Sequence, residues 1–238
     1  MPFLAEIIEV WEIAERTIAW KIGKPEGFTF RAGQHVSIKL LQPSFADPKG
    51  PRRTFTIASS PQESDLLFIT RSTGSGFKRS LLNGPQPVEL WGPMGEMLHD
   101  GSSPAVFVAG GVGVSPFRSI IFDGVSRLNI QPMMLLHSDR TIAAAVFVDA
   151  FRRLQADFPQ LFRYELFLTQ EMPLRRIGAA SLRSALDALP KAVVYLCGSE
   201  MFVEAMRKTL TGIGLPGERL RAELFRGYQP RNRGKEGE

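Results

Sequence analysis

The chain is poor in cysteine and histidine. Its single cysteine, Cys197, excludes an intrachain disulfide and leaves no cluster for an iron–sulfur centre or structural zinc. The three histidines, His35, His99 and His137, fall in separate segments without ligand spacing, so no metal site is expected. No apolar run is long enough to cross a bilayer. The opening Met1-Pro2-Phe3-Leu4-Ala5-Glu6 reaches an acid too soon for a secretory signal. The expected setting is a reducing cytoplasm, away from membranes. Charge of one sign is lacking too: a formal net charge of +5 over 238 residues is too diffuse to argue for nucleic acid. No internal repeat is present. What the chain does have is a hydrophobic fraction of 44%, enough for real cores, and length for one large domain or two ordinary ones.

The strongest local signal is Ala105-Val106-Phe107-Val108-Ala109-Gly110-Gly111-Val112-Gly113-Val114-Ser115-Pro116. It reads as a buried strand, a glycine turn, and a helix with Ser115 as N-cap and Pro116 at its first position. Glycines let backbone approach a ligand, and the free N–H groups of a helix start suit a phosphate. Pro116 stands where a dinucleotide fingerprint would have its third glycine. The plain alternative is a tight turn that holds nothing.

Before this stretch, residues 3–22 alternate polar and apolar positions as two antiparallel strands would. Further strands are expected at His35–Leu40, Arg53–Ala58, Leu66–Arg71 and Val88–Trp91, with a proline-rich loop from Pro43 to Pro51 and a short helix over Gly76–Leu82. The spacing predicts a small antiparallel barrel over residues 1–100. Arg53-Thr54-Phe55-Thr56 puts an arginine and an aromatic ring on one strand face. The guanidinium can fork onto a phosphate, and Thr56 both donates and accepts. An exposed basic strand with a core phenylalanine would look the same. Gly76-Phe77-Lys78 opens a helix beside cations, which again suits a phosphate or else a hairpin loop.

After Pro116 the pattern changes. Apolar runs at Met133–His137, Arg163–Thr169 and Ala192–Gly198 alternate with helical stripes over about 144–158, 182–189 and 199–212, where Ser199 can cap the last. That is the pattern of a parallel sheet covered by helices, expected over residues 101–228, with ligands at the carboxyl ends of its strands. Cys197 at one such end can equally be a small buried hydrophobe. Residues 229–238 are polar and read as a flexible tail.

A barrel followed by a nucleotide-binding half, with these motifs in this order, resembles the ferredoxin–NADP reductase superfamily over nearly the whole chain. The resemblance implies a two-domain fold: an antiparallel β-barrel flavin-binding domain, then an α/β parallel-sheet nucleotide-binding domain. It implies that Arg53 meets the pyrophosphate of FAD, that Thr54, Phe55 and Thr56 lie along the flavin, and that Gly76, Phe77 and Lys78 form a second phosphate loop. Gly111, Val112, Gly113, Ser115 and Pro116 look like the NAD(P)H pyrophosphate loop. Cys197, Gly198 and Met201 match a segment placed beside the nicotinamide. Glu223 and Phe225 resemble a terminal acid-and-aromatic pattern, and Tyr228 is expected over the flavin. On this resemblance Thr56, Cys197 and Glu223 are the catalytic candidates. Ser138 and Arg140 sit where a 2′-phosphate would lie, which leans the nicotinamide choice to NADPH. Phe55 replaces the commoner tyrosine, and Ser199 a proline.

The expected activity is hydride transfer from NAD(P)H to FAD and onward passage of electrons to an external acceptor, an acidic ferredoxin or flavodoxin, by a monomer. The alternative is a non-catalytic flavin- or nucleotide-binding subunit of a larger redox complex.

Overall fold

A computed structural model describes residues 1–127 and 130–225. The alternating segments of the first half form six strands: β1 (Phe3–Ala14), β2 (Thr17–Gly23), β3 (His35–Leu40), β4 (Arg52–Thr56), β5 (Asp65–Arg71) and β6 (Gln86–Met94). They make one antiparallel sheet in the order β4-β3-β6-β1-β2-β5. The sheet curls until its outer ends meet, where Ala58 N–H just past β4 donates to Leu67 O of β5 at 2.8 Å. Period-2 alternation points one face inward, and there Trp20 stacks on Phe68 at 5.5 Å within a core that also holds Ile7, Ile22 and Phe77. The short helix α1 (Gly76–Leu81) covers one end.

The second half is a five-stranded parallel sheet: β7 (Ala105–Gly110), β8 (Met133–Asp139), β9 (Phe162–Leu168), β10 (Val193–Ser199) and β11 (Leu220–Phe225), in the order β11-β10-β7-β8-β9. Helices α2 (Ser115–Val125), α3 (Val148–Asp157), α4 (Ala179–Ala188) and α5 (Glu200–Gly212) cover both faces. Alternate residues of β7 therefore enter different cores: Ala105, Phe107 and Ala109 pack with α2 and α3, Val106 and Val108 with α4 and α5. The chain leaves β7 toward β8 and β9, then returns to β7's other side as β10. That reversal is a topological switch point, where such sheets open a crevice at their carboxyl ends.

Three local expectations change. Ser115 is not an N-cap; a 3-10 turn over Gly111–Val114 precedes α2, and the Ser115 hydroxyl donates back to Val112 O at 2.7 Å. The helix expected from residue 144 starts at Val148, because Phe147 adopts φ 61° and interrupts it. The strand β11, unforeseen, adds an edge beside β10.

The two sheets share apolar contacts. Ala19, Ala32, Ala58, Leu67 and Ile69 of the first half pack with Phe117 and Ile120 of α2 in one cluster. Polar ties border it: Ser119 Oγ donates to Ser59 O at 2.6 Å, and Arg118 Nη1 to Ala58 O at 2.7 Å.

Candidate functional site

A cleft of about 800 Å³ opens between the sheets, at the carboxyl ends of β7, β8 and β10. Its floor on one side is the glycine turn. Gly111 sits at φ +55°, a conformation that favours glycine. A Cβ on Gly110 would come within 2.8 Å of the Phe202 ring, and one on Gly113 within 2.4 Å of Cys197 O. These glycines thus let the turn settle against β10 and α5. His137 holds it from below: its Nε2–H donates to Gly111 O at 3.3 Å, which leaves Nδ1 to accept the Tyr164 hydroxyl at 3.3 Å. Burial pushes the His137 imidazole down to about 4, against smaller opposing effects of the Asp139 charge and the Gly111 bond, so the ring is neutral.

On the barrel side, Arg53, Thr54, Phe55, Thr56 and Lys78 line the cleft. Phe55 is held edge-on to Trp20 at 4.7 Å. Arg53 Nη2 bonds Asp47 Oδ1 at 2.5 Å, and the other Asp47 oxygen accepts the Phe77 N–H at 2.9 Å. Burial pushes the Asp47 carboxyl up, but the bonds from Phe77, Lys49 and Arg53, with the Arg53 charge, more than offset it and hold it below the usual range. Lys78 Nζ donates to Arg71 O at 2.7 Å. Burial, and then the Arg53 charge, lowers its ammonium to about 8.

Arg71 and Asp139 close the cleft between the sheets. Arg71 Nη2 donates to Asp139 Oδ2 at 2.5 Å, and Nη1 to Thr17 Oγ1 at 2.7 Å and Ala144 O at 3.0 Å. Across the cleft His35 Nδ1 lies 3.5 Å from Glu223 Oε1. The lining carries five lysines or arginines (Lys49, Arg53, Arg71, Lys78 and Arg140) against two carboxylates, Asp139 and Glu223. Such a lining favours an anionic ligand.

Gly111, Val112, Ser115, Ser138, Arg140 and Glu223 join the barrel residues in this cleft. Other expected residues stand elsewhere. Gly76 lies against the backbone at Ala46, whose oxygen would sit 2.0 Å from a Cβ there. Phe77 is fully buried in the barrel core. Gly113 and Pro116 are buried in packing. Cys197 is fully buried, and burial, with Glu223 nearby, pushes its thiol well up; it stays protonated in the core and does not line the cleft. Gly198 is buried against Phe202, while Met201 is 82% exposed on α5, away from the lining. The Phe225 side chain, Tyr228 and the 229–238 tail lie outside the described residues. Sequence reading missed His35 and Arg71 as cleft groups, and Asp47 as the buried carboxylate behind Arg53. Arg71 had a signal, a cation at a strand end before a glycine loop; Asp47, inside a proline-rich loop, had none.

Residues 107–208 match the family model described as the oxidoreductase NAD-binding domain. The FAD/NAD-binding domain of nitric oxide dioxygenase from Vibrio cholerae superposes with TM-score 0.78 at 16% identity, covering 94% of this chain and 98% of that one. A ferredoxin NADP+ reductase from Neisseria gonorrhoeae, solved with bound FAD and NADP, superposes with TM-score 0.75 at 18% identity, again over 94% and 98%. This chain has the ferredoxin–NADP reductase fold. Within that fold, the cleft between the sheets is the space enclosed by the barrel and the glycine turn. Among curated relatives, the reductase component 1 of terephthalate 1,2-dioxygenase from Comamonas is 27% identical over 208 residues, 82% of this chain. The match spans 59% of that relative's own length, so this chain corresponds to about three fifths of it.

Proposed function

We propose that the chain is an NAD(P)H-dependent flavoprotein reductase that passes electrons to an external acceptor. The observation that carries the reading is a cleft lined from both sheets, with Arg53 and Lys78 at its barrel side and Gly110, Gly111 and Val112 of the glycine turn at the other. The donor set fits an FAD: cations for its pyrophosphate, the Phe55 ring for a flat ligand, and the Thr56 hydroxyl for a polar edge. FAD supplies, when bound, the ability to take two electrons and release them singly. The chain's own residues position and shield. Arg53 and Lys78 bind phosphate oxygens, Phe55 and Thr56 orient the ring, and Gly111, Val112 and Ser115 receive the NAD(P)H pyrophosphate. Glu223 stands beside His35 in the lining and is the catalytic candidate that reaches the cleft from the parallel sheet.

NADPH is the preferred nicotinamide. Ser138 and Arg140 line the cleft, and Asp139, the carboxylate between them, is neutralised by Arg71. The acceptor we propose is an acidic protein of the ferredoxin or flavodoxin kind, suited to the exposed Arg52 and Arg79 near the cleft; a relative named as the reductase component of terephthalate 1,2-dioxygenase supports the coarser reading, electrons passed to a partner protein. The test is to purify the protein, identify its flavin, and follow bleaching of the flavin absorbance by NADPH and NADH in stopped flow. Rapid bleaching, tighter for NADPH, is expected. Protein that takes up FAD yet is bleached by neither is a binding subunit instead.

A further inference from the structure

Arg53 is gripped from behind. Its Nη1 donates to the carbonyl oxygens of Lys49 at 3.1 Å, Gly50 at 2.9 Å and Arg52 at 2.6 Å, and its Nη2 to Asp47. The guanidinium lies 5.4 Å over the buried Phe77 ring. Asp47 is itself fixed, its side chain 3% exposed and its second oxygen bonded to Phe77 N–H. The loop that carries it is strapped to α1: Phe45 N–H donates to Ser80 Oγ at 3.0 Å, and Arg79 stacks 3.8 Å over the Phe45 ring. Gly76 makes room for that loop, since any side chain there would strike Ala46 O.

A guanidinium presents its five donors in a rigid fork, one edge made by Nη1 and Nη2, the other by Nε and Nη2. The loop takes Nη1 and one bond of Nη2. Nε and the second Nη2 hydrogen have no hydrogen-bond partner among the described residues, and Arg53 lines the cleft. The geometry points to Asp47 as a positioning residue that locks Arg53 so that its Nε–Nη2 edge is offered to a pair of phosphate oxygens of a flavin nucleotide. This rests on the flavin reading above. Two effects of Asp47 oppose one another. As a bare negative charge near a phosphate it repels. As a lock it removes the rotamer freedom that a free arginine would lose on binding. The bonded, buried geometry makes the lock the larger effect, and the sign of a mutation reads it out.

The experiment measures dissociation constants of the apoprotein for FAD and for riboflavin, which has the ring but no phosphate, in wild type, Asp47→Ala, Arg53→Ala and the double variant. Asp47→Ala is expected to weaken FAD about tenfold, to leave riboflavin unchanged, and to add nothing in the Arg53→Ala background. FAD affinity that is equal or tighter in Asp47→Ala overturns the proposal while the flavin reading stands. An equal loss for FAD and riboflavin also overturns it, because Asp47 then only supports the pocket. Wild-type protein that binds neither ligand overturns both readings.

Discussion

At the scale of single residues, burial decides which groups are available for chemistry. His137 is neutral because the core around it excludes charge. Its folded value near 4 lies below the ordinary 6.5, so the unfolded chain binds the extra proton. Its contribution to stability is complete above pH 6.5 and is lost as pH falls toward 4. The loss amounts to about 3 kcal/mol at the lower end. Thermal unfolding from pH 7 to 4.5 should show a falling midpoint, with a shallower fall in His137→Gln; parallel curves would refute the assignment. Lys78 gives a second pH signature. Its ammonium, lowered to about 8 by burial and then by Arg53, loses charge as pH rises past that point. FAD affinity should therefore decline between pH 7.5 and 9.5, and Lys78→Met should bind more weakly but without that slope. The candidate site was legible where function needs a residue type in a fixed local pattern: Arg53, Phe55, Thr56, Gly111 and Ser115 all reach one cleft. It was not legible where the role comes from a distant partner. Arg71 and Asp139 are 68 residues apart, and nothing local announces their pairing. Cys197 shows the reverse: a suggestive position at a strand end, emptied of reactivity by complete burial.

At the scale of elements, most of the architecture follows from periodicity. Strands that bury one face alternate, strands that bury two run apolar, and each signal was visible. The elements that were missed lack a local cause. β11 is defined by its parallel pairing with β10, and α3 starts late because of one left-handed residue, Phe147. The glycine turn is the element on which the cleft depends. Gly113→Ala would drive a methyl group into Cys197 O, a backbone atom of β10 that cannot step aside. We expect a loss of about 1–3 kcal/mol in denaturant titrations, and weaker nicotinamide binding with it. A variant as stable as wild type would mean that the turn and β10 separate freely.

At the scale of the molecule, charge and packing make two further predictions. Arg52 and Arg79 are exposed beside the cleft residues Arg53 and Lys78, and they stand on the rings of Trp91 and Phe45. Lys78, half-buried in the cleft lining with one of its donors on Arg71 O, is not one of these exposed charges. Exposed charges steer an acidic partner and are screened over about 8 Å at physiological salt. Electron transfer to an acidic ferredoxin should slow steeply with salt, and slow further in Arg52→Glu, while reduction by NAD(P)H is unaffected. A carrier rate indifferent to both removes the docking surface. The second prediction concerns cooperativity. Because Ala19, Ala58, Leu67 and Ile69 belong to the same core as Phe117 and Ile120, calorimetry should record one unfolding transition, not two; two resolved peaks would refute it. No described helix is long and apolar enough to cross a membrane.

The shared core has a consequence for how such a protein can change over time. A boundary between two self-sufficient modules lets either half be replaced by recombination. Here a foreign barrel would arrive with side chains shaped for another α2, and would have to bring its own backbone carbonyls into the places where those of Ser59 and Ala58 meet Ser119 and Arg118. Chimeras cut at the connection between β6 and β7 should express poorly unless the small residues of the seam travel with the graft. The unit that can be inherited intact is the pair.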